Sequence, residues 1–370
     1  CRTEPAGKGD VSGINTLCKE KSKMNILVKA YSNLNVGDDL YLHIVFRRYP
    51  EHTFTLIPNL YFENYVKIFA AYQNVRVEGS RSDLAGRVMA RLGRPLLPRQ
   101  LKEFDGCIYI GGSIFIENPD NHLFDDLLRR EVSFFARRGR PYFILSCNFG
   151  PYFHESFRRE KETLFLKCAD VCFRDQKSYA LFSSLPQARL AADAVFLYPV
   201  PHPAKKKAVG FSLADLSARP AYAHLFEQYF SYLKQAVQTA IDKGYEIYLF
   251  SFCSAEGDER VANLLAEVLP ACHKVSYTGD MNSFLQSYLS MSYTINTRLH
   301  GVVLSSMAGI PTIALSYTDK IHNLIQDLSL PADCLDLNTM HLEKAKNEIL
   351  GGDISKNATQ IFERLDQFLN

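Results

Sequence analysis

The sequence has no uninterrupted apolar stretch of the ~20 residues that a helix crossing a bilayer requires, so no membrane span is expected. It has almost no charge imbalance: 42 Lys and Arg stand against 40 Asp and Glu, a net charge of +2, which gives no global case for a nucleic-acid partner. There is no tract of low complexity and no repeat of solenoid period. No Asp/His cluster carries metal-ligand spacing, so neither a metal nor another cofactor is expected. Nine cysteines are an odd number, and they are scattered. Cys107, Cys147 and Cys253 sit in apolar runs and read as small buried hydrophobes. Cys168 and Cys172 lack the second pair that a zinc site needs. Reduced thiols in a cytoplasmic chain follow. Residues 1–23 have no apolar core and therefore do not read as a signal peptide. They read as a disordered extension or an upstream remnant, with Met24 as the natural start.

What is present is an alternation of strands and helices along 370 residues, enough for two domains of ordinary size. The alternation predicts an α/β protein built of two Rossmann-like, doubly wound halves. The first spans 24–200, a Pro- and Lys-rich linker covers 201–207, and the second spans 208–340. A helical segment over 341–370 is expected to pack back on the first half. In such sheets ligands gather at the carboxyl ends of the strands, and polar turns stand at those ends here. They include Asn33 to Asp39 after NILVKA, Gly111-Gly112-Ser113 after Phe104 to Ile110, Arg174 after Val171-Cys172-Phe173, and Ser254 to Asp258 after Glu246 to Phe252. Gly37 is read as permitting close backbone approach, with free amides at a helix start able to hold an anion. Asp38, Asp39, Asp175, Glu256 and Asp258 are the carboxylates nearest the expected cleft, and any of them could bind hydroxyls of a ligand, with capping of helix starts as the favoured reading.

The organising stretch is Ser292 to Lys320. A short strand delivers Asn296-Thr297-Arg298-Leu299-His300, Gly301 turns the chain into a helix from Val302, Gly309-Ile310-Pro311 ends it, and Lys320 returns after the next strand. Arg298 offers a fork of donors for carboxylate or phosphate, and His300 can carry a proton near neutral pH. With Arg174, three cations aim at one cleft, which favours a small di- or trianion. The alternative is that Arg298 and His300 only satisfy carbonyls at a helix start. Basic runs at Arg129-Arg130 and Arg137 to Arg140 read as solvated helix ends, or as a peripheral contact with an anionic membrane surface.

Asn35-x-Gly37-Asp38, Gly111-Gly112 after Tyr109-Ile110, Arg174 with Ser178, and above all Thr297-Arg298-Leu299-His300-Gly301 followed by Pro311 and Lys320 resemble the polysaccharide pyruvyl transferase family. The resemblance covers nearly the whole chain from Met24. It implies a GT-B-like fold, with two halves facing across a cleft. It also implies transfer of pyruvate from phosphoenolpyruvate to hydroxyls of a saccharide acceptor, commonly as a cyclic ketal. On that resemblance Arg298, Arg174 and Lys320 would clamp the donor's phosphate and carboxylate, and His300 would be the general acid or base. Asn35, Gly37, Asp38, Gly111, Gly112, Ser113, Thr297, Leu299 and Glu256 would complete the substrate site. A lipid-linked sugar would fit as acceptor for a cytoplasmic enzyme with a basic face. Two other readings stand beside this one: a GT-B glycosyltransferase that uses a nucleotide sugar, and a non-catalytic glycan- or metabolite-binding protein of the same fold.

Overall fold

A computed structural model describes residues 23–58, 60–79, 99–118, 123–345 and 354–369. The expected extension over 1–23 falls, but for Lys23, outside the described residues. Residues 99–103 form a short 3₁₀ helix.

The first half is a sheet of β1 (Asn25–Lys29), β2 (Thr53–Leu56), β3 (Val75–Val77), β4 (Gly106–Ile110), β5 (Tyr142–Cys147), β6 (Asp170–Phe173) and β7 (Ala188–Leu190). The second contains β8 (Ala208–Ser212), β9 (Glu246–Ser251), β10 (Cys272–Ser276), β11 (Tyr293–Asn296), β12 (Thr312–Ser316), β13 (Ala332–Asp336) and β14 (Leu342–Glu343). The strand orders are β3-β2-β1-β4-β5-β6-β7 and β10-β9-β8-β11-β12-β13-β14, the same pattern twice. Every pairing is parallel except β13 with β14. Strands such as β4 and β5 are buried along their whole length because helices cover both faces, which is why they read as continuous apolar runs. In each sheet the order reverses beside the first strand, between β1 and β4 and between β8 and β11. These are the two switch points where such sheets open a crevice.

Three boundaries differ from the sequence reading, each for a local reason. The first helix, Val36–Arg48, begins inside the polar turn Asn33 to Asp39 rather than after it, because Asn35 in an extended conformation caps it and accepts from the Gly37 amide at 3.0 Å. The second-half helix starts at Leu299 rather than Val302, since Arg298 (φ −92°, ψ 131°) stands at its cap. His300 and Gly301 therefore belong to the first helical turn. The chain at 342–343 is not helical but adds β14 antiparallel to the sheet edge, while residues 354–369 are helical and lie on the first half. There Ile361, Phe362, Leu365 and Leu369 are buried. Arg189 holds Asp170 at 2.6 Å and also donates to the Gln360 and Ile361 carbonyls.

The halves touch near the switch points. The Val36 amide donates to the Phe252 carbonyl at 3.1 Å. The buried Asp39 carboxylate accepts from Tyr65 of the first half and Tyr277 of the second, both at 2.8 Å.

Phe362 packs against Tyr49 and under the Arg48 guanidinium, so Phe362→Ala should lower the unfolding free energy in urea by about 3–5 kcal/mol. A loss below about 1 kcal/mol would show that the C-terminal segment is not part of this core. Asp39 yields a pH prediction. Burial pushes its carboxyl up to about 7, against the opposing pull of Tyr277 and Tyr65, while in the unfolded chain it titrates near ~3.9. Between those values the folded chain keeps a proton that the unfolded chain has released, so this group costs stability as pH rises from about 4 towards 7. Asp39→Asn should remove that decline from a stability-versus-pH series; an unchanged slope would assign it to other groups.

Candidate functional site

The carboxyl ends of both sheets face one open cavity of about 810 Å³. Its wall contains Asn35 and Asp38 after β1, Gly111 to Ser113 after β4, and Arg174 after β6. The second half adds Glu256 after β9, Thr297 to His300 after β11, and Lys320 after β12. Of the site residues that the family resemblance implies, all but Gly37 are there, whereas the carboxylates Asp39, Asp175 and Asp258 do not line it.

Gly37 lies behind the wall, and its place in the sequence has a different cause from the one expected. A Cβ there would sit 1.7 Å from Nδ1 of His300. The imidazole, carried by the second half, rests directly on this bare stretch of the first half's helix. Three amides of that helix start are engaged as well: Val36 by the Phe252 carbonyl, Gly37 by the Asn35 side chain and Asp39 by the Asn35 carbonyl. The anion-binding turn read at Gly37 is therefore a clearance for His300. Gly112 serves the same end for another group, since a Cβ on it would fall 2.3 Å from a terminal nitrogen of Arg174.

Behind the cavity wall runs a network that the sequence reading missed. Asp193, fully buried, accepts from Arg174 at 2.7 Å, from the Tyr41 hydroxyl at 2.8 Å and from the Val195 amide at 2.9 Å. His300 Nε2 lies 3.1 Å from the Tyr41 oxygen and 3.7 Å from Asp193. Tyr41 has one proton. When it donates that proton to Asp193, the Tyr41 oxygen accepts from both Arg174 (3.0 Å) and His300, so that Nε2 carries a proton. Burial works to raise the Asp193 carboxyl, but the His300 imidazole and the Arg174 guanidinium hold it well below the usual carboxylate range. Only the short spacing after β7 could have pointed to Asp193. Tyr41 is hidden in the sequence as one more residue of a helix's buried face.

The cations are not equally available. Arg298 is bound by Asp258 and Glu256, and its Nε also donates to the Leu213 carbonyl at 3.2 Å. Glu256 is shared with Arg219, another cavity residue that the sequence reading did not single out. Burial would raise Glu256, but Arg298 and Arg219 bring it down to about 2. Glu256 thus neutralises both cations. Lys320 forms no carboxylate pair among the described residues and donates to Ser113 across the cleft at 2.8 Å. Burial, then the like charges of Arg174 and Arg219, lower its ammonium to about 8. Asp38 moves the other way: burial first, then the neighbouring Glu256 and Asp39 carboxylates, raise it well above its ordinary value. The turn that carries Arg298 is held from below by a buried cluster in which Asn296 donates to Thr294, Ser305 and Thr312, and accepts from Tyr288.

Removing the Asp193 carboxylate leaves Arg174 buried and unpaired, so Asp193→Ala should cost about 3–5 kcal/mol in denaturant unfolding. A loss under about 1 kcal/mol would mean that water or another group replaces it.

Comparison with known proteins agrees with this architecture. The solved structure of Anabaena Alr3699/HepE in complex with UDP and glucose superposes with a TM-score of 0.53 at 11% identity, covering 94% of this chain and 98% of that one. The UDP-GlcNAc 2-epimerase of Methanocaldococcus jannaschii gives 0.56 at 6% identity, covering 94% and 100%. At such identities these likenesses show the shared GT-B-like fold. Amylovoran biosynthesis protein AmsJ of Erwinia amylovora is 21% identical over 268 residues, which cover 65% of this chain and 63% of that protein. The chain thus spans less than two thirds of that relative's length. The sequence model described as "Polysaccharide pyruvyl transferase" matches residues 35–319, from the Asn35 cap to the helix that carries Lys320. By that match, the chain belongs to the polysaccharide pyruvyl transferase family.

Proposed function

We propose that this protein transfers pyruvate from phosphoenolpyruvate to the hydroxyls of a saccharide, closing a cyclic ketal and releasing phosphate. The observation that carries the reading is the junction of His300 with Gly37, Tyr41 and Asp193. There a proton carrier from one half is held in place, with a proton on Nε2, by the other half, beside a cavity rich in cations. Family membership and the similarity to a protein of polysaccharide biosynthesis support it.

The donor's negative charge would settle on Lys320, on the donors of Arg174 not used by Asp193, Tyr41 and Asn148, and on Arg219 as Glu256 yields it. Arg298, held by two carboxylates, would shape this pocket more than it clamps the ligand. Asp38, kept neutral, would give its proton to the methylene carbon. Positive charge then builds at C2, where a sugar oxygen attacks as His300 takes the hydroxyl proton. The second hydroxyl closes on C2 as the C2–O bond to phosphate breaks, and its proton leaves with the phosphate. Cations placed where that charge gathers lower the barrier to departure.

Phosphoenolpyruvate at about a hundredfold its dissociation constant should stabilise the wild-type protein by about 2.7 kcal/mol, seen as a rise in Tm. Lys320→Ala should lose most of the rise. His300→Ala should keep it, yet release phosphate about 10²- to 10⁴-fold more slowly in the presence of acceptor glycans. A rise with UDP-glucose and none with phosphoenolpyruvate would replace this reading with a nucleotide-sugar glycosyltransferase.

A further inference from the structure

A second cavity, of about 440 Å³, opens on the far side of Lys320. The two share Arg174, Leu299, Tyr317, Thr318 and Lys320, so they meet at a common wall, while His300 and Asp38 face only the larger one. Its volume lies within the ~300–1,000 Å³ of small-molecule sites. One wall comes from the loop after β5, with Phe149 and Tyr152 in ring contact at 5.1 Å. The opposite wall comes from the second half, where Tyr222 and Tyr317 meet edge to face, also at 5.1 Å.

The polar groups of this cavity suit a neutral ligand. Its own charges are already answered: Lys177 pairs with Asp319, and Asp175 is spent capping the helix at Ser178. What remains is uncharged. The hydroxyls of Tyr152, Tyr222 and Tyr317 and the Asn323 amide make no hydrogen bond among the described residues. Asn148, only 5% exposed, uses its carbonyl oxygen for Arg174, which leaves its amide NH₂ group for the cavity. Aromatic faces with amides and hydroxyls that both donate and accept match the alternating C–H faces and hydroxyl edges of a sugar ring. A phosphate or carboxylate would instead be drawn to Lys320, which has no carboxylate partner among the described residues and stands at the common wall.

We propose that this second cavity is a saccharide subsite for the sugar next to the one being modified. An acceptor chain would place its reacting hydroxyls at His300 and run past Leu299 and Lys320 between the two aromatic walls. The protein would then prefer an oligosaccharide to a monosaccharide. This inference rests on the pyruvyl-transfer reading, and the test keeps the two apart.

The test uses the full chain on a printed panel of neutral mono- to pentasaccharides, alongside the phosphoenolpyruvate thermal shift as an independent arm. Wild type should retain at least one oligosaccharide more tightly than its terminal monosaccharide. Tyr222→Ala and Asn323→Ala should each weaken that retention about tenfold and bring it to the monosaccharide level, with the phosphoenolpyruvate shift intact. Tyr222→Phe, which keeps the ring, should recover most of it. Loss of the thermal shift with glycan retention intact would strike the donor reading alone. Absence of any preference for oligosaccharides in wild type, or retention unchanged in both alanine variants while they remain folded, would overturn the subsite.

Discussion

A carboxylate with no access to water must be answered by donors, and Asp193 is such a carboxylate at the centre of this molecule. Its partners come from separate places: Arg174 from the end of β6, Tyr41 from the first helix, and the Val195 amide from its own turn. His300 closes the group from the second half. Because each partner satisfies a group that would otherwise be buried and unpaired, their positions are mutually fixed. The cavity wall in front inherits that rigidity. A proton carrier and a cation side by side need such support if they are to be placed within reach of one substrate.

Two sheets of identical order give this network a setting. Each half presents its switch-point crevice, and the facing arrangement turns two crevices into one cavity lined by the ends of seven strands and their loops. Polar ties across the cleft include Asp39 with Tyr277, Ser113 with Lys320 and Lys177 with Asp319. The first lies deep and is buried, whereas the other two stand near the mouth. The deep tie keeps the halves in register, whereas the exposed Lys177–Asp319 pair contributes only about 0–1 kcal/mol.

Much of this was legible in the sequence. The alternation of apolar runs and polar turns was enough for two parallel sheets, because strands buried on both faces carry a strong signal. The cluster Thr297 to His300 with Lys320 stood out because cations and a histidine at strand ends have few other uses. What stayed hidden was of another kind. Tyr41 and Asp193 act from behind the wall, and a tyrosine on a helix's buried face has no pattern that separates it from core. Arg219 sits in an irregular loop with no periodicity to place it. Gly37 was noticed, but its cause was not: local sequence suggests a turn, while the real constraint is a ring arriving from a residue 263 positions later. The early start of both key helices has the same root. Asn35 caps the first through the Gly37 amide, and Arg298 holds the cap position of the second without a side-chain cap bond.

The accounting of charge in the cleft bears on how an anion could enter a site whose arginines are already paired. A buried arginine without a counter-ion would destabilise the empty protein, so Asp258 and Glu256 hold Arg298, and Asp193 holds Arg174. Glu256 differs from the other two because it divides itself between Arg298 and Arg219, and it lines the cavity. An arriving anion can take Arg219 from it without leaving it unpaired, since Arg298 remains. Lys320 needs no such exchange, because its partner is a neutral hydroxyl. The site can therefore be stable when empty and still gather positive charge when filled. The carboxylates that neutralise it define which cations are free to move.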